Sequence, residues 1–311
     1  MNHNIPRRTF LSQLGVISTI PLALAADRKA DVAWTLGFSL YGMKSLKAEE
    51  ALSTVSKIGY DSVEFFTQEG GDLKPDTVSA ERRRELRKLL ATLPLKLTSL
   101  LENLNSADAT KQAEMIQKIK RAADLGHAIS PDAPPFINTG LGGNWDKDKE
   151  SIRDHVAAWT KAAATAKTLL LVKPHRFSTF NNAEQAVWLL EQIRSPWLKL
   201  NFDPSHFVLR DLPLNDSLKK LLPHTKFVHV KDARMENGKA VFTLPGESGH
   251  IDYPALFKQL SQGGYRGDIN VEVSSMVSRL PDYDPVRAAK SSYERMAAAL
   301  VKAGIPRLRK T

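Results

Sequence analysis

Leu198-Lys199-Leu200-Asn201-Phe202-Asp203-Pro204-Ser205-His206 runs an apolar strand pattern directly into a cluster of ionisable side chains. The same device recurs on either side of it. Leu169-Leu170-Leu171-Val172-Lys173-Pro174-His175 precedes it, and Phe227-Val228-His229-Val230-Lys231-Asp232 and Ile269-Asn270-Val271-Glu272-Val273-Ser274 follow. Each run is short, rich in leucine or β-branched residues, and turns polar at its C-terminal end, which is the signature of a buried strand that delivers side chains to a site.

Outward from these four runs the chain keeps alternating. Strand patterns fall at 35–41, 62–66, 96–101, 136–139, 169–173, 198–203, 227–231 and 269–273. Amphipathic helical patterns lie between them at 47–58, 79–91, 107–125, 149–166, 183–193, 214–221, 253–262 and 285–302. Strands that each feed a helix make a parallel sheet with crossover helices. Eight such units within about 280 residues predict a closed (β/α)8 TIM barrel, an α/β fold, rather than an open doubly wound sheet. No Gly-x-Gly-x-x-Gly follows the first strand pattern, so a dinucleotide fold has no support. No Pro/Gly-rich linker interrupts the run, and 27–311 is expected to form a single domain.

Composition agrees. With 311 residues, 42% of them hydrophobic and 25% charged, the chain can bury a substantial core, which excludes a collagen-like or largely disordered protein. Cysteine is absent. Disulfides, thiolate zinc sites and cysteine nucleophiles are thereby excluded, and any metal must be held by carboxylate, imidazole or water, as manganese, magnesium or zinc can be. The net charge of +10 is spread along the chain and describes a solvated basic surface rather than a nucleic-acid groove.

The first residues form an address. Arg7-Arg8 precede a moderate apolar stretch that ends in Ala23-Leu24-Ala25, the pattern of a twin-arginine export signal over residues 1–26. No later segment approaches about 18 consecutive apolar residues, so no stable membrane insertion is expected after cleavage. A periplasmic or otherwise exported protein follows.

In a barrel, catalytic groups stand at the C-terminal ends of strands. Glu64, Lys173, His175, Asp203, His206, His229, Lys231 and Glu272 all fall there. Burying so many charges among valines and phenylalanines is costly unless they pair or hold a cation, and a shared polar site is the economical explanation.

Taken with Gly59-Tyr60-Asp61-Ser62-Val63-Glu64, with Pro245-Gly246-Glu247-Ser248-Gly249-His250-Ile251-Asp252-Tyr253 and with Gly264-Tyr265-Arg266-Gly267, these strand ends resemble the xylose-isomerase-like TIM-barrel superfamily of sugar isomerases and epimerases, which also contains endonuclease IV. The resemblance implies one divalent metal ion held by Asp203, His229 and Glu272, with His206 at a substrate position close to it. Where that family commonly has glutamate on the fifth strand, this chain has Lys173 in Lys173-Pro174-His175. An ammonium cannot ligate a metal. Lys173 is then either an acid–base group opposite a catalytic Glu272, or a positive charge standing in for a lost ion. A Schiff base at Lys173 or Lys231 is a third chemistry. His175, Glu64 and Lys231 are expected to contact substrate.

The function implied is a metal-assisted sugar isomerase or epimerase that moves a proton beside a carbonyl, with a small carbohydrate as its partner. A lyase on a keto-sugar or 3-keto-glycoside, and a non-catalytic sugar-binding barrel, are the alternatives. DNA cleavage would need more clustered metal ligands than the chain offers, and export removes the nucleic acid.

Overall fold

The structure is a computed structural model and describes residues 34–308, together with Met1. The export signal expected at 1–26, with Arg7 and Arg8, lies outside the described residues. Eight parallel strands close into a barrel: β1 (Thr35–Ser39), β2 (Ser62–Phe66), β3 (Lys96–Leu101), β4 (Phe136–Gly140), β5 (Leu170–Lys173), β6 (Leu198–Phe202), β7 (Thr225–Val230) and, after a hairpin, β10 (Asp268–Val271). The register runs from Phe38 opposite Val271 at the closing seam to Gly140 opposite Lys173 and Asn270 opposite His229. The principal outer helices are α1 (Ala48–Ile58), α2 (Ala80–Thr92), α3 (Gln112–Ile129), α4 (Trp145–Thr165), α5 (Ala183–Ile193), α7 (Leu214–Leu221), α8 (Tyr253–Gln262) and α10 (Pro285–Lys302). Among the described residues no helix is long and apolar enough to cross a membrane.

The barrel strands are buried along most of their length, as a sheet covered by helices requires. The last four of the eight expected helices match the structure residue for residue and the first two lie within one residue of it, whereas the boundaries of α3 and α4 shift by up to five residues. Three differences bear on the site. The sixth strand stops at Phe202 instead of running through Asp203, because Asp203 caps the short helix α6 (Pro204–Val208): its Oδ1 accepts the Ser205 amide at 3.2 Å, and Pro204 takes the first helical position. The first strand stops at Ser39, and a 3-10 turn at Leu40–Met43 turns Tyr41 toward the mouth of the barrel.

The third difference is an antiparallel hairpin, β8 (Asp232–Glu236) and β9 (Lys239–Thr243), inserted between β7 and α8. Asn237 and Gly238 both have positive φ (50° and 74°), the two-residue turn that favours Asn-Gly. Asp232 ties its base down, accepting from the amides of Ser248 and Gly249 at 3.2 and 3.1 Å. A second short helix, α9 (Ser275–Ser278), follows β10 at the same end.

Candidate active site

At the C-terminal mouth of the barrel four charged side chains from different strand ends converge. Lys173, the last residue of β5, donates to both oxygens of Glu272 at 3.0 and 2.8 Å and to His229 Nδ1 at 3.1 Å. Lys231, just after β7, donates to Asp203 Oδ2 at 2.7 Å and also bonds Glu272 Oε2. Asp203 Oδ2 lies 3.6 Å from the Lys173 nitrogen. The two ammoniums and two carboxylates form one alternating, nearly dry network.

Below it sits His229, fully buried on β7. With Lys173 donating to Nδ1, the ring carries its proton on Nε2 and offers it to Glu64, 3.1–3.2 Å away. Glu64 is itself buried on β2 and accepts from the Asn138 amide at 3.1 Å. Glu64 therefore does not reach the cavity as a substrate contact; it orients the histidine from beneath.

Burial disfavours every charge here, and the network answers it. Desolvation raises the Asp203 carboxyl, but the Lys231 and Lys173 ammoniums outweigh it and hold the group below the usual carboxylate range. Glu272 is likewise pulled well down against desolvation by Lys173, Lys231 and His229. Lys231 loses to burial yet is raised by Asp203 and Glu272, so its ammonium form is secured. The ring of His206, on α6, is 1% exposed and has a hydrogen-bond partner on neither nitrogen; its Nε2 lies 3.3 Å from Asp203 Oδ2 without bonding geometry. Burial drives its pKa well below the ordinary histidine value, so the ring is neutral. His175 lies against it with ring centroids 3.9 Å apart and planes tilted by 48°, and is pushed down to about 3 by burial and then by Lys173 and Lys231.

A cavity of about 490 Å³ opens above this floor. Lys173, His175, His206, Lys231 and Glu272 line its base, whereas Asp203, His229 and Glu64 lie beneath. Gln68, Asn103 and Asn105 supply amides along one wall. Tyr41, Phe177 and Phe242 supply aromatic surface, and Phe242 on β9 holds the Lys231 ammonium 5.6 Å from its ring centre. Tyr41 is the aromatic of the first strand-and-turn segment that reaches the cavity, whereas Trp34, Phe38 and Phe66 are buried and line none of it. The hairpin that brings Phe242 was legible in Asn237-Gly238; the loop residues Asn103, Asn105 and Phe177 carry no periodicity that could have announced them.

Asp203, His229 and Glu272 do come together: each offers a ligand atom within 4.8 Å of the others, the arrangement of a possible metal site. The two lysine nitrogens bond to the atoms of that trio.

The chain is matched over residues 52–299 by the profile of the xylose isomerase-like TIM barrel family. It is similar to L-ribulose-5-phosphate 3-epimerase UlaE of Escherichia coli, with 24% identity over 268 residues covering 82% of this chain and 91% of that one. Its fold is similar to that of the IolI protein solved with a zinc atom (TM-score 0.70, 18% identity, 85% and 99% of the two chains covered). It is similar also to a xylose isomerase-like TIM barrel protein of Mycobacterium smegmatis solved with magnesium (TM-score 0.67, 18% identity, 87% and 97% covered). Strand order, polar strand ends and profile agree: this chain belongs to the xylose isomerase-like TIM barrel family.

Proposed function

We propose that the protein is an exported enzyme that isomerises or epimerises an unphosphorylated carbonyl sugar by moving a proton at the carbon beside the carbonyl. The observation that carries this reading is the neutral His206, both ring nitrogens unpartnered, next to the Lys231 ammonium at the base of a cavity of sugar size. Lys231 spends two N–H groups on Asp203 and Glu272; among the described residues its third has no acceptor and suits a carbonyl oxygen. His206 takes the proton from the adjacent carbon. As that C–H bond breaks, its electron pair forms the enediolate double bond and the carbonyl oxygen gains charge against Lys231. Return of the proton to the neighbouring carbon, as the hydroxyl proton there passes to the former carbonyl oxygen, isomerises the sugar; protonation of the same carbon from its opposite face by water, with His206 keeping the abstracted proton until it exchanges with solvent, epimerises it.

Glu272 has a different part from the base expected of it. Both of its oxygens are taken up by the two ammoniums, and its carboxylate fixes them in place. A protonated Lys231 bonded to two carboxylates is likewise no Schiff-base nucleophile. Asp203, His229 and Glu272 have the donor chemistry for manganese, magnesium or zinc, but the lone pairs that would face an ion are bonded to Lys173 and Lys231, so the set as it stands does not fit one.

Substrate class follows from the lining. The cations that line the cavity are Lys173 and Lys231, both already paired with carboxylates, and no arginine lines it among the described residues. A phosphate dianion would find no cation there that is not already neutralised by a carboxylate. The amides of Gln68, Asn103 and Asn105 suit hydroxyl groups instead. The test is solvent-deuterium incorporation, followed by proton NMR, across paired keto- and aldo-sugars with and without phosphate. Incorporation into unphosphorylated sugars is expected; exclusive use of the phosphorylated partners would defeat the substrate assignment. Export rests on Arg7-Arg8 and the small-residue site after the apolar stretch. Replacing both arginines by lysine should leave unprocessed precursor in the cytoplasm, and normal processing of that variant would remove the export reading.

A further inference from the structure

We infer that the ammonium groups of Lys173 and Lys231 together replace the divalent cation of this barrel, so that the centre assembles and works without a metal ion. Exclusion of the ion follows from the geometry alone; metal-free turnover rests on the function proposed above.

A divalent ion needs unshared lone pairs converging at roughly 2.0–2.2 Å. Asp203 Oδ1 is committed to Ser205, with the hydroxyl at 2.6 Å and the amide at 3.2 Å, and Oδ2 accepts from Lys231 at 2.7 Å. Glu272 has one oxygen bonded to Lys173 and the other to both lysines. His229 Nδ1 accepts from Lys173, and its Nε2 points at Glu64. All three side chains of the trio therefore face a nitrogen where they would face an ion.

The charges also match. Two ammoniums supply the two positive charges of a divalent ion against the two carboxylates Asp203 and Glu272. Adding an ion without expelling them would place like charges a few ångströms apart in a desolvated site. Expulsion is opposed by the packing: Lys173 and Lys231 are 5% and 3% exposed, and each is anchored at the end of a barrel strand.

What the ion would have done is then divided between the two residues. Lys231 presents a free N–H to the substrate oxygen, and Lys173 fixes Glu272 and His229 behind it. Together they hold the two carboxylates apart before substrate arrives, so no empty anionic site has to be assembled.

The test is metal content and affinity in the tag-free full chain, independent of turnover. Mass spectrometry after dialysis against a chelator, then titration calorimetry with Mn²⁺, Zn²⁺ and Mg²⁺, should show well under one equivalent retained and no saturable site. Lys173→Glu supplies the missing carboxylate and removes one cation; it should tighten Mn²⁺ binding by at least about 100-fold. One equivalent of tightly held ion in the unmodified chain would overturn the inference. If Lys173→Glu fails to fold by circular dichroism, Lys173→Met carries the same comparison, and the titration of the unmodified chain decides in any case. Deuterium incorporation that survives chelation supports metal-free action; a chelator-sensitive rate restored by added ion contradicts it. A metal-free chain that exchanges no sugar proton would sink the proposed function and leave the replacement of the ion standing.

Discussion

At the N-terminal end of the barrel, Arg307 donates to both oxygens of Asp61 at 2.8 and 2.9 Å, to the Gly59 carbonyl at 2.8 Å and to the Tyr293 hydroxyl at 3.0 Å. Asp61 also accepts the Leu36 amide at 2.9 Å. Every nitrogen of the guanidinium and both oxygens of the carboxylate are used inside the fold. At the C-terminal end, Lys173, Asp203, Lys231 and Glu272 are buried just as thoroughly, yet an N–H of Lys231 and both nitrogens of His206 are left over, and all of them face or border a cavity. Buried charge by itself does not mark a site. Charge with unspent hydrogen-bonding capacity toward a cavity does, because a fold that gained nothing from those groups would have paired them.

The two ends should therefore fail differently. Arg307→Met strands Asp61 without its partner and should cost roughly 3–5 kcal/mol in chemical denaturation, the range for breaking a buried pair. The rate constant of whatever protein remains folded should be unchanged. Glu272→Gln should reverse the pattern: exchange or turnover falls by at least about 10²-fold, because the amide no longer fixes both ammoniums. Its folded signal in circular dichroism should persist. Equal losses of activity from the two substitutions would erase the distinction between the ends.

A smaller effect sharpens it through pH. His175 takes up its proton near pH 6.5 in the unfolded chain but only near 3 in the fold. The unfolded chain therefore binds the extra proton between those values, so stability present above about 6.5 is lost as pH falls toward 3. The melting temperature should decline across that window, and His175→Asn should flatten part of the decline. A variant curve parallel to the unmodified one would mean that His175 is not held neutral at the mouth.

Much of this was legible in the residues. The eight strands, the outer helices and the polar strand ends follow from apolar periodicity, which the barrel obeys because its strands are covered on the outside and packed within. The gathering of Lys173, Asp203, His229, Lys231 and Glu272 was visible as a pattern of strand ends. Which atom meets which was not. Lys173 reaches Glu272 only because β5 and β10 stand across the barrel at matching heights, and no spacing along the chain encodes that. The place of Glu64 under His229, rather than on the cavity wall, likewise depends on depth within the barrel. Phe242 could have been anticipated, since Asn237-Gly238 between two short β-prone runs is a hairpin signal.

On the reading proposed here, the mouth of this barrel moves a proton beside a sugar carbonyl and His206 carries it. The direct measurement is incorporation of solvent deuterium at that carbon, compared between the unmodified chain and His206→Gln on the same unphosphorylated sugar. Incorporation by the unmodified chain, reduced at least about 10²-fold in a variant that folds normally, is the predicted result. Equal incorporation by the two proteins, or none by the unmodified chain with any carbonyl sugar, would contradict it.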